Sequence, residues 1–308
     1  MEFFKKQTTI KFMELRRITG IVSGLAVLIA VIMLCKQGLN FGLEFTGGTQ
    51  VELHFEEPTE ATVVKQQLEI FGLKDLRVQN YGSAKELLIR LANKTEDEAG
   101  LKTKILHALQ NGGYTAEVRR VEYVGSEVGA QLAEDGGLAV VAAILFTMLY
   151  IALRFEYRFA VSAALSLTHD IVIVLGIFSL CRFEFDLATL AGVLAVLGYS
   201  LNDKIVVFDR VRENFRRVRK ESTAQIINLS INQTLSRTIM TSFLTLLVVI
   251  ALLLFGGGSL FGFSLALCLG IIIGTYSSIY VAGGLALSLG LSREDLLPKP
   301  KAAIDELP

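Results

Sequence analysis

The chain has 308 residues, 52% of them hydrophobic, with a mean hydropathy of +0.52 and a formal net charge of zero. A composition this apolar, with its charges gathered between long uncharged runs, excludes an ordinary soluble domain and indicates membrane spans separated by aqueous segments. No basic domain stands apart, which argues against nucleic acid as a partner.

Residues 1–17 carry Lys5, Lys6, Lys11, Arg16 and Arg17 ahead of the first apolar run, 18–35. That run lacks a small-residue cleavage site before Gln37 and Gly38, so it reads as a retained anchor and not a signal peptide. Residues 36–135 then read as one folded extracytoplasmic domain. Val51, Leu53 and Phe55 alternate with polar neighbours over 49–55, as in a half-buried strand. Thr59 is placed to cap a helix in which Val63, Val64, Leu68 and Phe71 recur at helical spacing. Strands are predicted over 76–81 and 87–91 around a Gly82-Ser83 turn. A second helix follows over 95–109, striped by Leu101, Ile105, Leu106 and Leu109, and a last strand spans 114–124. The order βαββαβ predicts a ferredoxin-like α+β domain. Its two histidines, His54 and His107, are far apart in sequence and suggest no site. Cys35, Cys181 and Cys268 all lie at or within apolar runs, so no disulfide framework is expected in this domain.

Residues 136–291 form the rest of the membrane bundle. Five further runs, 136–153, 159–181, 187–208, 238–255 and 259–291, are long enough to cross a hydrocarbon core, giving a polytopic α-helical protein of six spans. Arg154 and Arg158, the cluster Arg210, Arg212, Arg216, Arg217, Arg219 and Lys220, and Arg293, Lys299 and Lys301 all fall on the side of the N-terminus. The positive-inside rule makes that face cytoplasmic, with both termini there and 292–308 as a cytoplasmic tail. Within 210–235, the basic run followed by Ile226, Ile227, Leu229 and Ile231 reads as an amphipathic helix on the cytoplasmic membrane surface, bound to anionic lipid.

Charges inside the bilayer carry the functional signal, since each costs about 3 kcal/mol at a helix centre. Asp203 lies about 8 Å from the predicted end of the fourth span, counted to Phe208. Arg237 enters the fifth span from the same side, so the two can lie at similar depth. Desolvation favours the neutral acid and a nearby guanidinium favours the carboxylate, so an Asp–Arg pair that can separate is a proton switch. A static ion pair is the competing reading. Asp170, beside His169, sits near mid-membrane in the third span, either as a titrating group or as a helix-packing node. Lys204 is expected to snorkel to the headgroups. In the sixth span Gly262, Ala266, Gly270, Gly274, Ser278 and Ala282 recur every fourth residue, a smooth stripe for close helix packing. Gly192 and residues 195–198 suggest a similar approach in the fourth.

Four segments together resemble a known family. Gly42-Leu43-Glu44-Phe45-Thr46-Gly47-Gly48-Thr49 is similar to the loop signature of the SecD/SecF family. The stretch from Tyr199 to Asn214, with Leu167-Thr168-His169-Asp170 and Leu235-Ser236-Arg237-Thr238, resembles its SecF branch in particular. The resemblance covers nearly the whole chain and places it in the RND superfamily. It implies an inner-membrane subunit that pairs with SecD beside the SecYEG translocon and its associated small Sec subunits. It also implies use of the proton-motive force to help draw unfolded, translocating polypeptide out on the periplasmic side. The family's relay aspartate and arginine match Asp203 and Arg237. Glu44 stands where the family more often has Asp, and Lys204 where it often has a small hydroxyl residue.

No nucleophile, phosphate-binding loop or metal cluster appears in the sequence, so neither an enzyme nor a cofactor is expected. Two other functions remain open: an anchored assembly scaffold, and half of an RND-like small-molecule transporter. The single small extracytoplasmic domain speaks against the second.

Overall fold

The computed structural model describes residues 8–73, 76–81, 83–91, 98–218 and 220–292. The predicted C-terminal tail from Arg293 onward, Lys5, Lys6, Gly82, Arg219 and residues 95–97 of the second predicted helix lie outside the described residues. A 3-10 turn over Phe12–Leu15 leads into α1 (Arg16–Gln37), followed by β1 (Asn40–Phe41), α2 (Leu43–Thr46), β2 (Gly48–Phe55) and α3 (Ala61–Ile70). Then come β3 (Leu76–Tyr81), β4 (Ser83–Leu91), α4 (Glu98–Asn111) and β5 (Ala116–Val124). The remainder is α5 (Ser126–Arg154), α6 (Tyr157–Cys181), β6 (Glu184–Phe185), α7 (Leu187–Arg217), α8 (Thr223–Phe255), α9 (Gly258–Tyr276), a π turn (Ser277–Val281) and α10 (Ala282–Ser288).

Six helical segments are long and apolar enough to cross a membrane: the 3-10 turn with α1, then α5, α6, α7, α8, and α9 with the π turn and α10. Between the first two, β2 to β5 form a four-stranded antiparallel sheet in the spatial order β3-β4-β2-β5. Val51, Leu53 and Phe55 of β2 share one buried core with Val64 and Leu68 of α3 and Leu101, Ile105 and Leu109 of α4. Period-2 and period-3.6 apolar patterns thus meet face to face, which is what closes this small unit. Thr59 does not cap α3. The helix starts after Glu60, and the Thr59 hydroxyl bonds the Glu57 carbonyl in a local turn instead.

Hydropathy located the spans but misplaced several of their ends. α5 begins at Ser126, ten residues before the uncharged run, and α7 continues past Phe208 to Arg217. Charges end an apolar run without ending a helix, because backbone hydrogen bonding continues wherever side chains reach water. The 210–235 segment is therefore not a separate surface helix. Arg210, Arg212, Arg216 and Arg217 lie in the last turns of α7, and a capping box at Ser222 and Gln225 starts α8. Ile226, Ile227 and Ile231 are buried in the bundle against Phe208, Val211 and Phe215, so they are core and not a lipid-binding face.

The small-residue stripe of α9 lies against α7. A Cβ on Gly270 would overlap the Val196 side chain, and one on Gly262 would overlap Thr189. Gly192 returns the contact, its Cβ position lying 2.9 Å from the Phe263 carbonyl oxygen. Ser278 falls in the π turn, buried, with its hydroxyl bonded to the Thr275 carbonyl.

Candidate functional site

The close packing of α7 and α9 brings three polar segments together in the bundle. Ser200 and Lys204 stand one turn apart on the same face of α7. His169 and Asp170 come from α6, and Ser277 opens the π turn, where the wider helical winding aims a hydroxyl inward. Gly274 permits this by leaving room for Ser200, whose Oγ lies 3.0 Å from where a Cβ would stand.

Lys204 Nζ donates to Asp170 Oδ2 at 2.7 Å and to Ser277 Oγ at 3.1 Å, and also bonds Ser200 Oγ. Asp170 Oδ2 further accepts from Ser200 Oγ at 2.5 Å and from Ser277 Oγ at 2.8 Å. Its Oδ1 lies 2.9 Å from His169 Nδ1. The side chains of Lys204 and Asp170 are 0% and 1% exposed, so this is a fully buried ion pair with its hydrogen-bonding capacity used. The expectation that Lys204 snorkels to the headgroups is overturned. Its ammonium is turned into the bundle and bonded to Asp170, Ser200 and Ser277, with no exposure left for a headgroup contact. The signal that would have revealed it is spacing: Ser200 and Lys204 fall one turn apart on one face of α7, the face that meets Asp170.

Asp203 is buried beside this site, 3% exposed, and its Oδ2 has no hydrogen-bond partner among the described residues. It lies one turn from Tyr199, whose hydroxyl donates to Ser242 of α8 at 2.9 Å, so this face of α7 looks toward α8. On α8, Thr238 is buried with its hydroxyl unpartnered, while Arg237 is exposed. Of the sequence-predicted residues, Asp170 is thus joined to Lys204 in an ion pair. Asp203 and Arg237 face a shared region of the bundle without closing onto each other. Ser200, Ser277 and the pairing role of Lys204 were missed from sequence.

A second polar cluster ties the sheet domain to the bundle. Beyond α1, β1 pairs in parallel with β6, Asn40 opposite Glu184 and Phe41 opposite Phe185. The double glycine after α2 turns the chain into β2 with φ of +68° at Gly47 and +123° at Gly48, and a Cβ on Gly48 would lie 2.7 Å from the Leu91 carbonyl oxygen. Only glycine fits both demands. Arg90 of β4 forms an ion pair with Glu184, donates to the Phe41 carbonyl at 3.2 Å and to Gln50 at 3.2 Å. Gln79 of β3 donates to the other Glu184 oxygen at 2.8 Å. Burial, reinforced by the charges of Asp186 and Glu122, holds the Glu44 carboxyl above its usual range, with Arg90 opposing.

Two family descriptions match the chain: "Protein export membrane protein SecD/SecF, C-terminal" over residues 104–292 and "SecD/SecF GG Motif" over residues 32–59. The Protein translocase subunit SecF of Vibrio alginolyticus is 46% identical, covering 100% of this chain and 99% of its own. That of Pseudomonas aeruginosa is 46% identical over 97% and 98%. Among solved structures, SecDF of Thermus thermophilus, titled a translocon-associated membrane protein, superposes with a TM-score of 0.85 at 37% identity. A SecDF structure in a super-membrane-facing form gives 0.64 at 35%. This chain is covered to 94% in both and spans 40% of each of those longer chains. Whole-length identity at this level and the matched glycine motif lead to one conclusion: the chain belongs to the SecF family of protein translocase subunits, within the SecD/SecF group of protein export membrane proteins.

Proposed function

We propose that this chain is the SecF-type half of a proton-driven accessory complex of protein export in the bacterial inner membrane. Its partner is a SecD-type subunit. In the longer SecDF chains a segment like this one fills 40% of the length, which supports a second, complementary half. The complex acts beside a SecYEG-type channel on translocating polypeptide, with both termini of this chain cytoplasmic. The sheet domain is periplasmic and ferredoxin-like, a reading supported by its strand order, in which the first strand lies between the third and the fourth. No reaction at a cofactor or metal is part of this reading.

The observation that carries the proposal is the buried Asp170–Lys204 pair with a second carboxyl beside it, Asp203, whose Oδ2 has no hydrogen-bond partner among the described residues. Protonating Asp170 cancels its charge and frees Lys204. Asp203, one residue away, is the nearest alternative partner for the released ammonium, with Arg237 of α8 within electrostatic reach of the same carboxyl. Swapping partners moves α7 against α6 and α8. A proton moving down the membrane potential supplies about 2.3 kcal/mol per 100 mV, enough to bias such an equilibrium.

The test is force-dependent secretion in vesicles containing the partner subunits, wild type against Asp203→Asn. Loss of the force-dependent component in a normally assembled mutant is the expected result. Unchanged secretion would make the ionic site structural and the chain an anchored scaffold.

A further inference from the structure

A groove of about 740 Å³ runs between α1, α6 and the π turn with α10. Arg16, Arg17, Ser23, Leu165, His169 and Tyr280 are among the residues that line it. His169 is 8% exposed, and its buried Nε2 has no hydrogen-bond partner among the described residues. The other ring nitrogen is 2.9 Å from Asp170 Oδ1. One imidazole therefore separates the groove from the buried ion pair.

An unpaired buried ring nitrogen costs about 1–3 kcal/mol; Nε2 itself is covered in this arrangement, and a small turn of the ring brings it to a groove water that removes the cost. The volume exceeds by far the roughly 30 Å³ that a water occupies in the liquid, and the paired arginines open it toward the charged end of α1. We infer that the groove is a water-filled vestibule and that His169 is the port through which protons reach Asp170, an inference that rests on the proton-driven reading above. With Nδ1–H donated to the Asp170 carboxylate, Nε2 carries the free lone pair. Water gives a proton to Nε2, making the imidazolium, and Nδ1 passes its proton to Asp170 Oδ1. One proton has then crossed the ring, which is left as the Nε2–H tautomer, and hydroxide is left in the vestibule to be neutralised from bulk water. Ring rotation or the reverse transfer resets the port. Asp170, now neutral, no longer holds Lys204.

The vestibule is tested in the full chain with its partner subunits, in membranes, after replacing Cys35, Cys181 and Cys268 by Ala. Leu165→Cys lines the groove. Leu145→Cys on α5 is a comparison site 60% exposed toward the hydrocarbon. Only a thiolate reacts, and it forms only where water reaches it. A charged, membrane-impermeant thiosulfonate is expected to label Leu165→Cys at least about tenfold faster than Leu145→Cys, while a lipid-soluble maleimide labels both. Labelling of Leu165→Cys by the maleimide alone would show a lipid-filled groove, and labelling by neither a groove closed by a partner helix; either overturns the vestibule. The port is tested with His169→Gln, whose amide still donates to Asp170 but cannot relay a proton. Loss of force-dependent secretion with unchanged groove labelling is expected, and wild-type secretion overturns the port. If Asp203→Asn still abolishes force dependence, only the port has failed. If Asp203→Asn and Asp170→Asn both secrete normally, the proton-driven reading has failed while the labelling result stands by itself.

Discussion

Lys204 of α7 and Asp170 of α6 face each other at 2.7 Å with essentially no exposure of either side chain. Removing one partner from such a pair leaves an uncompensated buried charge and costs about 3–5 kcal/mol, whereas replacing both by neutral groups costs much less. Lys204→Met and Asp170→Asn are therefore each expected to destabilise the detergent-solubilised protein strongly. The double variant should recover most of the loss. Thermal unfolding of the four proteins checks this, and equal, additive losses would show that the two residues do not act as a pair.

Gly270 and Val196 give a packing counterpart. A Cβ on Gly270 collides with the branched Val196 side chain where α9 lies on α7. Overpacking of this kind costs about 1–3 kcal/mol. Gly270→Ala should lower thermal stability and the yield of folded protein, and adding Val196→Ala should restore both. Because Ser277, two turns further along the same span, donates to Asp170 of α6, displacing α9 with Gly270→Ala should also weaken force-dependent secretion beyond what its yield explains.

The spans, the domain between the first two and the packing stripe of α9 were legible because each is written as a periodicity. Apolar length, alternation and small residues every fourth position are local properties of the chain. The ionic site was half legible. Asp170, Asp203 and Arg237 stand out because charge in hydrocarbon is costly, but which of them meet depends on helix rotation and on where a helix ends. Lys204 was misread for that reason: it stands near the end of an apolar run, but the rotation of α7 turns it inward onto Asp170. Ser277 could not be found by helical counting, since the π turn breaks the 3.6-residue phase where it begins. The docking of Arg90 on Glu184 joins residues 94 positions apart across two units, and no local pattern encodes it.

That docking makes its own prediction. Arg90 links β4, the β1 carbonyl at Phe41 and Glu184 at the head of the bundle. Arg90→Met keeps much of the stem volume and removes every one of these bonds. The sheet core does not include Arg90, so the domain should stay folded while its hold on the bundle loosens. Amide hydrogen exchange should rise at β1 and β6 and stay unchanged in β2 and α4. Protection lost throughout the sheet would instead make Arg90 a folding residue.

Glu44 supplies a pH dependence at the same junction. Its folded-state pKa lies above the ordinary value, first because of burial and then because Asp186 and Glu122 are near. A raised carboxyl binds its proton more tightly in the folded protein than in the unfolded chain, so stability falls as pH rises from the unfolded pKa through the folded one. Glu44 thus favours the folded junction fully only below about pH 4.5, its ordinary value, and loses that contribution as pH rises through the higher folded value. Glu44→Gln, neutral at every pH, should flatten this part of the stability profile and raise stability at neutral pH relative to wild type. Unfolding measured across the acidic range in detergent decides it. A mutant less stable than wild type at neutral pH would show that Arg90 holds Glu44 as a carboxylate, and that burial does not dominate.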